Sequence, residues 1–326
     1  MAGYAGLHVG RALEAAAAAY AAGNRAQAET FCRAVLRVQP DSYDALNLLG
    51  IIRAQAGEAQ EAAVLLERAV AARPLDAAAH SNYGNVLCAL GRWQDALALY
   101  ERALELDPRY PEAYGNRGRA QSALGELQGA LDSYDRLIDL RPEDAEAHYN
   151  RGATLQKLDR SEEALASYAR ALRLRPRFAE AWYNQGIALH RLQRFEAAVE
   201  SYDRALEIAP RFAQAANNRG TSLQELARCD EALLSYARAL HEDAALADAW
   251  NNQGHALSDL ERPAEALRSY QRALEINPGI SWLRGAWFHT RLQLCDWAGL
   301  DAAFLGIAAG LSAGSRVTQP FTVLAF

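Results

Sequence analysis

Asparagine recurs every 34 residues, at Asn82, Asn116, Asn150, Asn184, Asn218 and Asn252. A carboxamide carries both a donor and an acceptor, so it can take a peptide backbone amide in a two-point contact without reading the attached side chain. Six such groups in line would hold an extended polypeptide with little regard to its sequence. Asparagine is also a poorer helix former than alanine by roughly 0.5 kcal/mol, so the column forgoes about 3 kcal/mol and some interaction must compensate. That interaction is either with a ligand or with the neighbouring copy of the motif, where a carboxamide bond would set the angle between copies. The column starts late, since Glu14 and Leu48 stand at the two preceding positions.

Seven residues after each of these positions stands a second column: Ala21, Gln55, Ala89, Ala123, Lys157, Arg191, Glu225 and Asp259. It is basic in the middle and acidic at the far end. Together with Arg119, Lys157 and Arg191 could hold an acidic side chain or a C-terminal carboxylate; a solvated helix face would give the same pattern. The seven histidines form no pair: His80 and His148 occupy a packing position, and His255 is expected on the binding face beside Asn252. Cys32, Cys88, Cys229 and Cys295 lie far apart with no C-x-x-C pair, which suggests neither a disulfide framework nor a zinc site. Nucleophile-elbow, phosphate-loop and H-E-x-x-H motifs are absent, so no catalysis and no cofactor are expected of the chain. A formal net charge of -6 gives no general reason to bind nucleic acid or an anionic membrane. The N-terminus lacks a signal-peptide pattern and the alanine run from Ala15 to Ala22 is too short to span a bilayer, so a cytoplasmic protein is expected.

What must position these side chains is a 34-residue unit repeated eight times over residues 9–280 without insertion or deletion. Position 8 is glycine in seven copies and Ala16 in the first. Position 20 is alanine throughout, from Ala28 to Ala266. Position 24 is tyrosine from the third copy on, and position 32 is proline except at Ala244. Two antiparallel helices can cross closely only where small residues meet, so positions 8 and 20 mark the crossing and the tyrosines fill the adjoining gap. Proline at position 32 cannot extend a helix and ends the second one. Position 15 suits a left-handed helix end at Gly23, Gly57, Gly91 and Gly125, whereas Asp159, Gln193, Ala227 and Glu261 should sit there at a small local cost. Acidic residues at position 2, such as Glu112 and Glu146, fall in the first helical turn, where the macrodipole favours them.

This Gly, Ala, aromatic, Pro pattern resembles the tetratricopeptide repeat (TPR) family. The resemblance implies an all-α fold: a right-handed superhelical solenoid of antiparallel helix pairs, its concave face lined by the first helix of each pair and able to bind other polypeptides. The chain departs from the family at position 7, where Arg117, Arg151, Gln185, Arg219 and Gln253 replace the usual leucine, and at Ala12 and Ala216, where position 4 lacks a bulky residue.

After residue 280 the columns stop, although Trp282, Leu283, Trp287, Leu292 and Leu294 suit one more helix, with a second expected behind it and an apolar string over 320–326. Leu294, Cys295, Asp296 and Trp297, followed by Pro320 and Phe321, resemble the junction in bacterial O-linked N-acetylglucosamine transferase-like proteins, where such repeats lead into a catalytic glycosyltransferase. That resemblance implies that the asparagine column holds protein substrates, and that residues 281–326 are a helical extension linking to a catalytic domain. The expected function is therefore substrate recognition for a protein glycosyltransferase, with a client protein or peptide in extended form as partner. The alternatives are a stand-alone adaptor that assembles a complex, or a clamp on a peptide C-terminus.

Overall fold

The computed structural model of the chain describes residues 2–299, 304–305 and 308–309. Among the described residues it is all-α, with seventeen helices and no strand. They fall into two compact units, Met1–Asp159 and Arg160–Phe326. The first holds α1 (Ala2–Ala21), α2 (Arg25–Val38), α3 (Tyr43–Gln55), α4 (Ala59–Ala72), α5 (Ala77–Ala89), α6 (Trp93–Leu106), α7 (Pro111–Leu124), α8 (Leu127–Leu140) and α9 (Ala145–Lys157). The second holds α10 (Ser161–Leu174), α11 (Ala179–Arg191), α12 (Phe195–Ile208), α13 (Ala213–Glu225), α14 (Cys229–Glu242), α15 (Ala247–Asp259), α16 (Pro263–Ile276) and α17 (Leu283–Gln293). Within each unit every helix packs on its successor.

The hairpins close for the reason the small columns suggest. A Cβ on Gly84 would stand 2.7 Å from the Tyr100 ring, and one on Gly118 2.8 Å from Tyr134. The position-20 alanines are fully buried in both units, and the tyrosines at position 24 nearly so. Desolvation pushes the phenols of Tyr134 and Tyr236 up to about 12, so they stay neutral and serve as packing groups. At position 15 the backbone is left-handed whatever the residue: φ is 80° at Gly125, but also 56° at Asp159, 58° at Gln193, 55° at Ala227 and 56° at Glu261. Register over the whole hairpin outweighs a local cost of about 1 kcal/mol at each non-glycine.

Position 4 does more than pack. His80 and His148, together with Tyr114, Trp182 and Trp250, donate from their ring N–H or O–H to the position-32 carbonyl of the preceding repeat, at 2.9 to 3.2 Å. Where position 4 is Leu46 or Ala216 and has no donor, an arginine at position 26 takes over. Arg68 donates to Pro40 O at 2.6 Å and Arg238 to Pro210 O at 3.0 Å. A carbonyl left by each helix end thus always meets a donor at these joints. The unusual position 7 has a partner as well. Arg117 bonds the buried Ser133 hydroxyl at 2.9 Å, and Arg219 bonds both Ser235 at 2.7 Å and Asp203 at 2.6 Å. Gln185 and Gln253 accept from Ser201 and Ser269 in the same place.

The repeat timing outlasts its glycine and alanine columns. Cys295, fifteenth from Ser281, is left-handed at φ 54°, and Asp296 N donates to Arg291 O at 3.0 Å as Arg92 N does to Leu87 O at 2.9 Å. Phe288 fills the place of the crossing glycine and is buried. Asp296 accepts from the buried Arg291 at 2.8 Å, a pairing that holds the aspartate well below the usual carboxylate range, while Trp297 stands exposed. The apolar string over 320–326, with Pro320 and Phe321, lies outside the described residues, as does most of the second helix expected after α17.

Candidate functional site

In the first unit Asn82 on α5, Asn116 on α7 and Asn150 on α9 are half-buried and line one cleft of about 350 Å³ together with Asn85, Tyr110 and Arg119. The three are not equivalent. Asn82 Nδ2 donates to Asn47 Oδ1 on α3 at 3.1 Å, a bond between neighbouring repeats. Asn116 turns its Oδ1 to Arg119 Nη2 at 2.5 Å, which leaves its amide N–H groups to the cleft. The Asn150 carboxamide meets no partner among the described residues. Of the other charges in this cleft, Arg141 pairs with Glu112 at 2.5 Å, and Asp144 caps the start of α9 through Glu146 N and Ala147 N, each at 3.0 Å, while the Glu146 carboxylate makes no ion pair among the described residues.

In the second unit Asn184, Asn218 and Asn252 lie half-buried on α11, α13 and α15. The last two belong to a directed chain of hydrogen bonds. Asn251 donates to Asn252 at 3.3 Å, Asn252 to Asn217 at 3.1 Å, Asn217 to Asn218 at 3.2 Å, and Asn218 to the Tyr183 hydroxyl at 3.2 Å. Asn82, Asn218 and Asn252 thus bond between repeats, while Asn116 and Asn150 keep free donors. Reading the sequence missed the partners at position 5, Asn47, Tyr183 and Asn217. The available signal was a polar residue at position 5, directly before Leu48, Asn184 and Asn218.

The cations do not gather. Arg119 lines the cleft, whereas Lys157, in the same unit, is exposed and donates to Ser122 Oγ at 3.3 Å without lining it. Arg191 ends α11 as an exposed residue of the other unit. At the acidic end, Asp259 accepts from Gln224 at 2.6 Å. His255, expected on the binding face, instead packs its ring edge on Tyr270 with Nδ1 3.1 Å from the phenol oxygen, and burial lowers its pKa. His190 is held by Ser222 Oγ at 2.9 Å and likewise lowered by burial. The four cysteines are free thiols, and burial pushes Cys32 up to about 11, far from a nucleophile. Among the described residues no cluster of His, Cys, Asp and Glu could hold a metal ion, and no helix is long and apolar enough to cross a membrane.

Family models for the same repeat match along the chain: a TPR repeat over residues 84–125 and 122–159, and tetratricopeptide repeats over 19–85, 149–211 and 247–280. No curated protein matches. Among solved structures, Cut9–Hcn1, a hetero-tetramer of the APC/C, is similar at a TM-score of 0.59 and 15% identity, over 82% of this chain and 52% of that one. A tetratricopeptide repeat protein from Parabacteroides merdae is similar at a TM-score of 0.58 and 20% identity, over 76% of this chain and 98% of that one. These two speak to the fold. YrrB, described as a TPR protein with an unusual peptide-binding site, is 27% identical over 56% of this chain and 93% of its own, at a TM-score of 0.49.

Proposed function

We propose, from the premise that the chain belongs to the tetratricopeptide repeat family, that it is an interaction scaffold holding a client polypeptide in extended form against the first helices of its repeats. Stacked repeats bury their apolar faces on one another and leave a long lined surface for partners. One observation carries the reading for this chain: Asn116 and Asn150 face a cleft with amide donors that the fold does not use. A helix keeps a poor helix former without an internal bond only at a cost, and a peptide backbone is the partner its chemistry fits. In the second unit Asn184, Asn218 and Asn252 offer carboxamides of the same kind, the latter two with their spare valences. Arg119 is the cation that meets the client; Lys157 on α9 and Arg191 on α11 offer further positive charge, each in its own unit.

The test is to replace Asn116 and Asn150 together by alanine and measure the affinity of peptides selected on the native chain. A loss of about tenfold or more is expected with no loss of thermal stability. Unchanged affinity refutes the reading.

In its finer form, the array is the substrate-recognition arm of an O-linked N-acetylglucosamine transferase-like enzyme, with residues 9–280 as repeats and 281–326 as the helical link to the catalytic domain. The asparagine column and the turn at Leu294, Cys295, Asp296 and Trp297, anchored by the Arg291–Asp296 pair, support it. The array itself contributes no catalysis and no cofactor, contacts neither nucleic acid nor membrane, and works in the cytoplasm. Reading the coding sequence around these residues tests this form: an in-frame nucleotide-sugar domain supports it, and its absence leaves a stand-alone adaptor.

A further inference from the structure

Beside the peptide cleft lies a smaller pocket of about 330 Å³ whose walls include Asn85, Cys88, Trp93, Tyr100, Asn116 and Arg119. Its hydrogen bonds have a definite direction. The Tyr100 hydroxyl donates to Asn85 Oδ1 at 2.9 Å, so the Cys88 thiol, 3.3 Å from the Tyr100 hydroxyl oxygen, is the donor to that hydroxyl. Arg119 donates to Asn116 Oδ1 at 2.5 Å. Each carboxamide oxygen is thereby turned to a donor of the protein and away from a ligand. Beyond one lone pair on each of these oxygens, what a ligand meets is the amide of Asn85, the amide of Asn116 and the rest of the Arg119 guanidinium, a set dominated by donors. Arg119 makes no ion pair among the described residues, and the half-buried Trp93 supplies an aromatic wall. The combination occurs once in the chain. The residues that correspond to Trp93 and Arg119 at the other joints are Arg25 with Ile51, Ala59 with Asn85, Leu127 with Ala153, Ser161 with Ile187, Phe195 with Thr221, and Cys229 with His255.

A pocket that offers donors, one unmatched positive charge and an apolar wall fits a group that only accepts hydrogen bonds, carries negative charge and hangs from methylenes. We propose that this pocket is the specificity subsite of the peptide cleft and takes the side-chain carboxylate of an acidic residue in the client. The proposal rests on the peptide-binding reading above and adds to it a sequence preference that a carboxamide column alone would not have. The guanidinium takes the carboxylate oxygens, the two amides complete their coordination, and the Trp93 ring covers the methylene stem.

The experiment selects random phage-displayed peptides on the full chain, then measures binding of the selected peptides as labelled synthetic versions. The bound peptides should share one acidic position. Glutamine in place of glutamate there should weaken binding to the native chain about tenfold or more. In Arg119→Ala, an exposed position on α7 whose replacement leaves the core intact, the two peptides should bind alike. In Arg119→Glu the preference should pass to lysine. An undiminished glutamate preference in Arg119→Ala, or a set of binding peptides with no acidic position, overturns the subsite and leaves the scaffold reading standing. Failure of every peptide to bind the native chain overturns both.

Discussion

Asn150 and Asn218 occupy the same place in their repeats, yet alanine should affect them with opposite sign. At Asn218 the change removes the bond to the Tyr183 hydroxyl and the acceptor for Asn217, both at 3.2 Å. Each bond is worth about 0.5 to 1.5 kcal/mol, and Asn217, only 8% exposed, would keep a buried N–H with no partner at a further cost of about 1 kcal/mol or more. Alanine returns roughly 0.5 kcal/mol in helix propensity, leaving a net loss of about 1.5 to 3.5 kcal/mol. At Asn150 nothing internal is lost and the same roughly 0.5 kcal/mol is gained. Because units of a repeat array open separately, the suitable assay is amide hydrogen exchange on the full chain rather than one global melt. Exchange in α13 should quicken by roughly 10- to 400-fold in Asn218→Ala. Exchange in α9 should stay constant or slow by about twofold in Asn150→Ala. Equal responses of α9 and α13 would refute the division between bonded and free carboxamides.

Ala227→Gly should stabilise the α13–α14 hairpin by roughly 0.5 kcal/mol, since φ there is 55°, which costs alanine about 1 to 2 kcal/mol, while glycine's freer unfolded chain gives back about 0.4 to 1 kcal/mol; slower exchange of the adjoining amides is the check. Arg238→Met should cost about 1 kcal/mol by leaving Pro210 O without its donor, whereas Arg136→Met, where Tyr114 already serves the corresponding Pro108 O, should cost under about 0.5 kcal/mol in the same urea titration. His255 has its folded pKa depressed by burial, so it favours folding above its unfolded pKa near 6.5 and the contribution is lost as pH falls through the lower folded value. Protection of α15 and α16 should therefore decline between about pH 7 and pH 5, and His255→Gln should flatten that decline.

The hairpins were legible because their determinants lie within one period. Gly84 and Tyr100, or Gly118 and Tyr134, are sixteen residues apart, close enough for a small-against-large column to announce the crossing. Position 15 was legible even at Ala227, because timing and not residue type decides the turn. The end of the array was less so: Phe288 replaces the expected glycine, and only the left-handed Cys295 shows that α17 keeps the same timing. Position 7 was taken as a departure from the family, since its serine partner is itself an ordinary helix residue whose meaning appears only when Arg117 reaches Ser133.

The sequence by itself determined the helix pairs, their length, their crossing points and the faces that carry the asparagines, all consequences of backbone sterics and small-residue spacing repeated eight times. Tertiary structure decided what each asparagine does. A carboxamide can turn either way at nearly equal cost, and the choice depends on which group its own or the neighbouring helix brings within hydrogen-bond reach. Asn47 captures Asn82 and Tyr183 captures Asn218, Arg119 turns the oxygen of Asn116, and nothing claims Asn150. Identical letters at identical positions thus become joints in one repeat and open donors in another, because a hydrogen bond is settled by distance and direction, which periodicity does not encode.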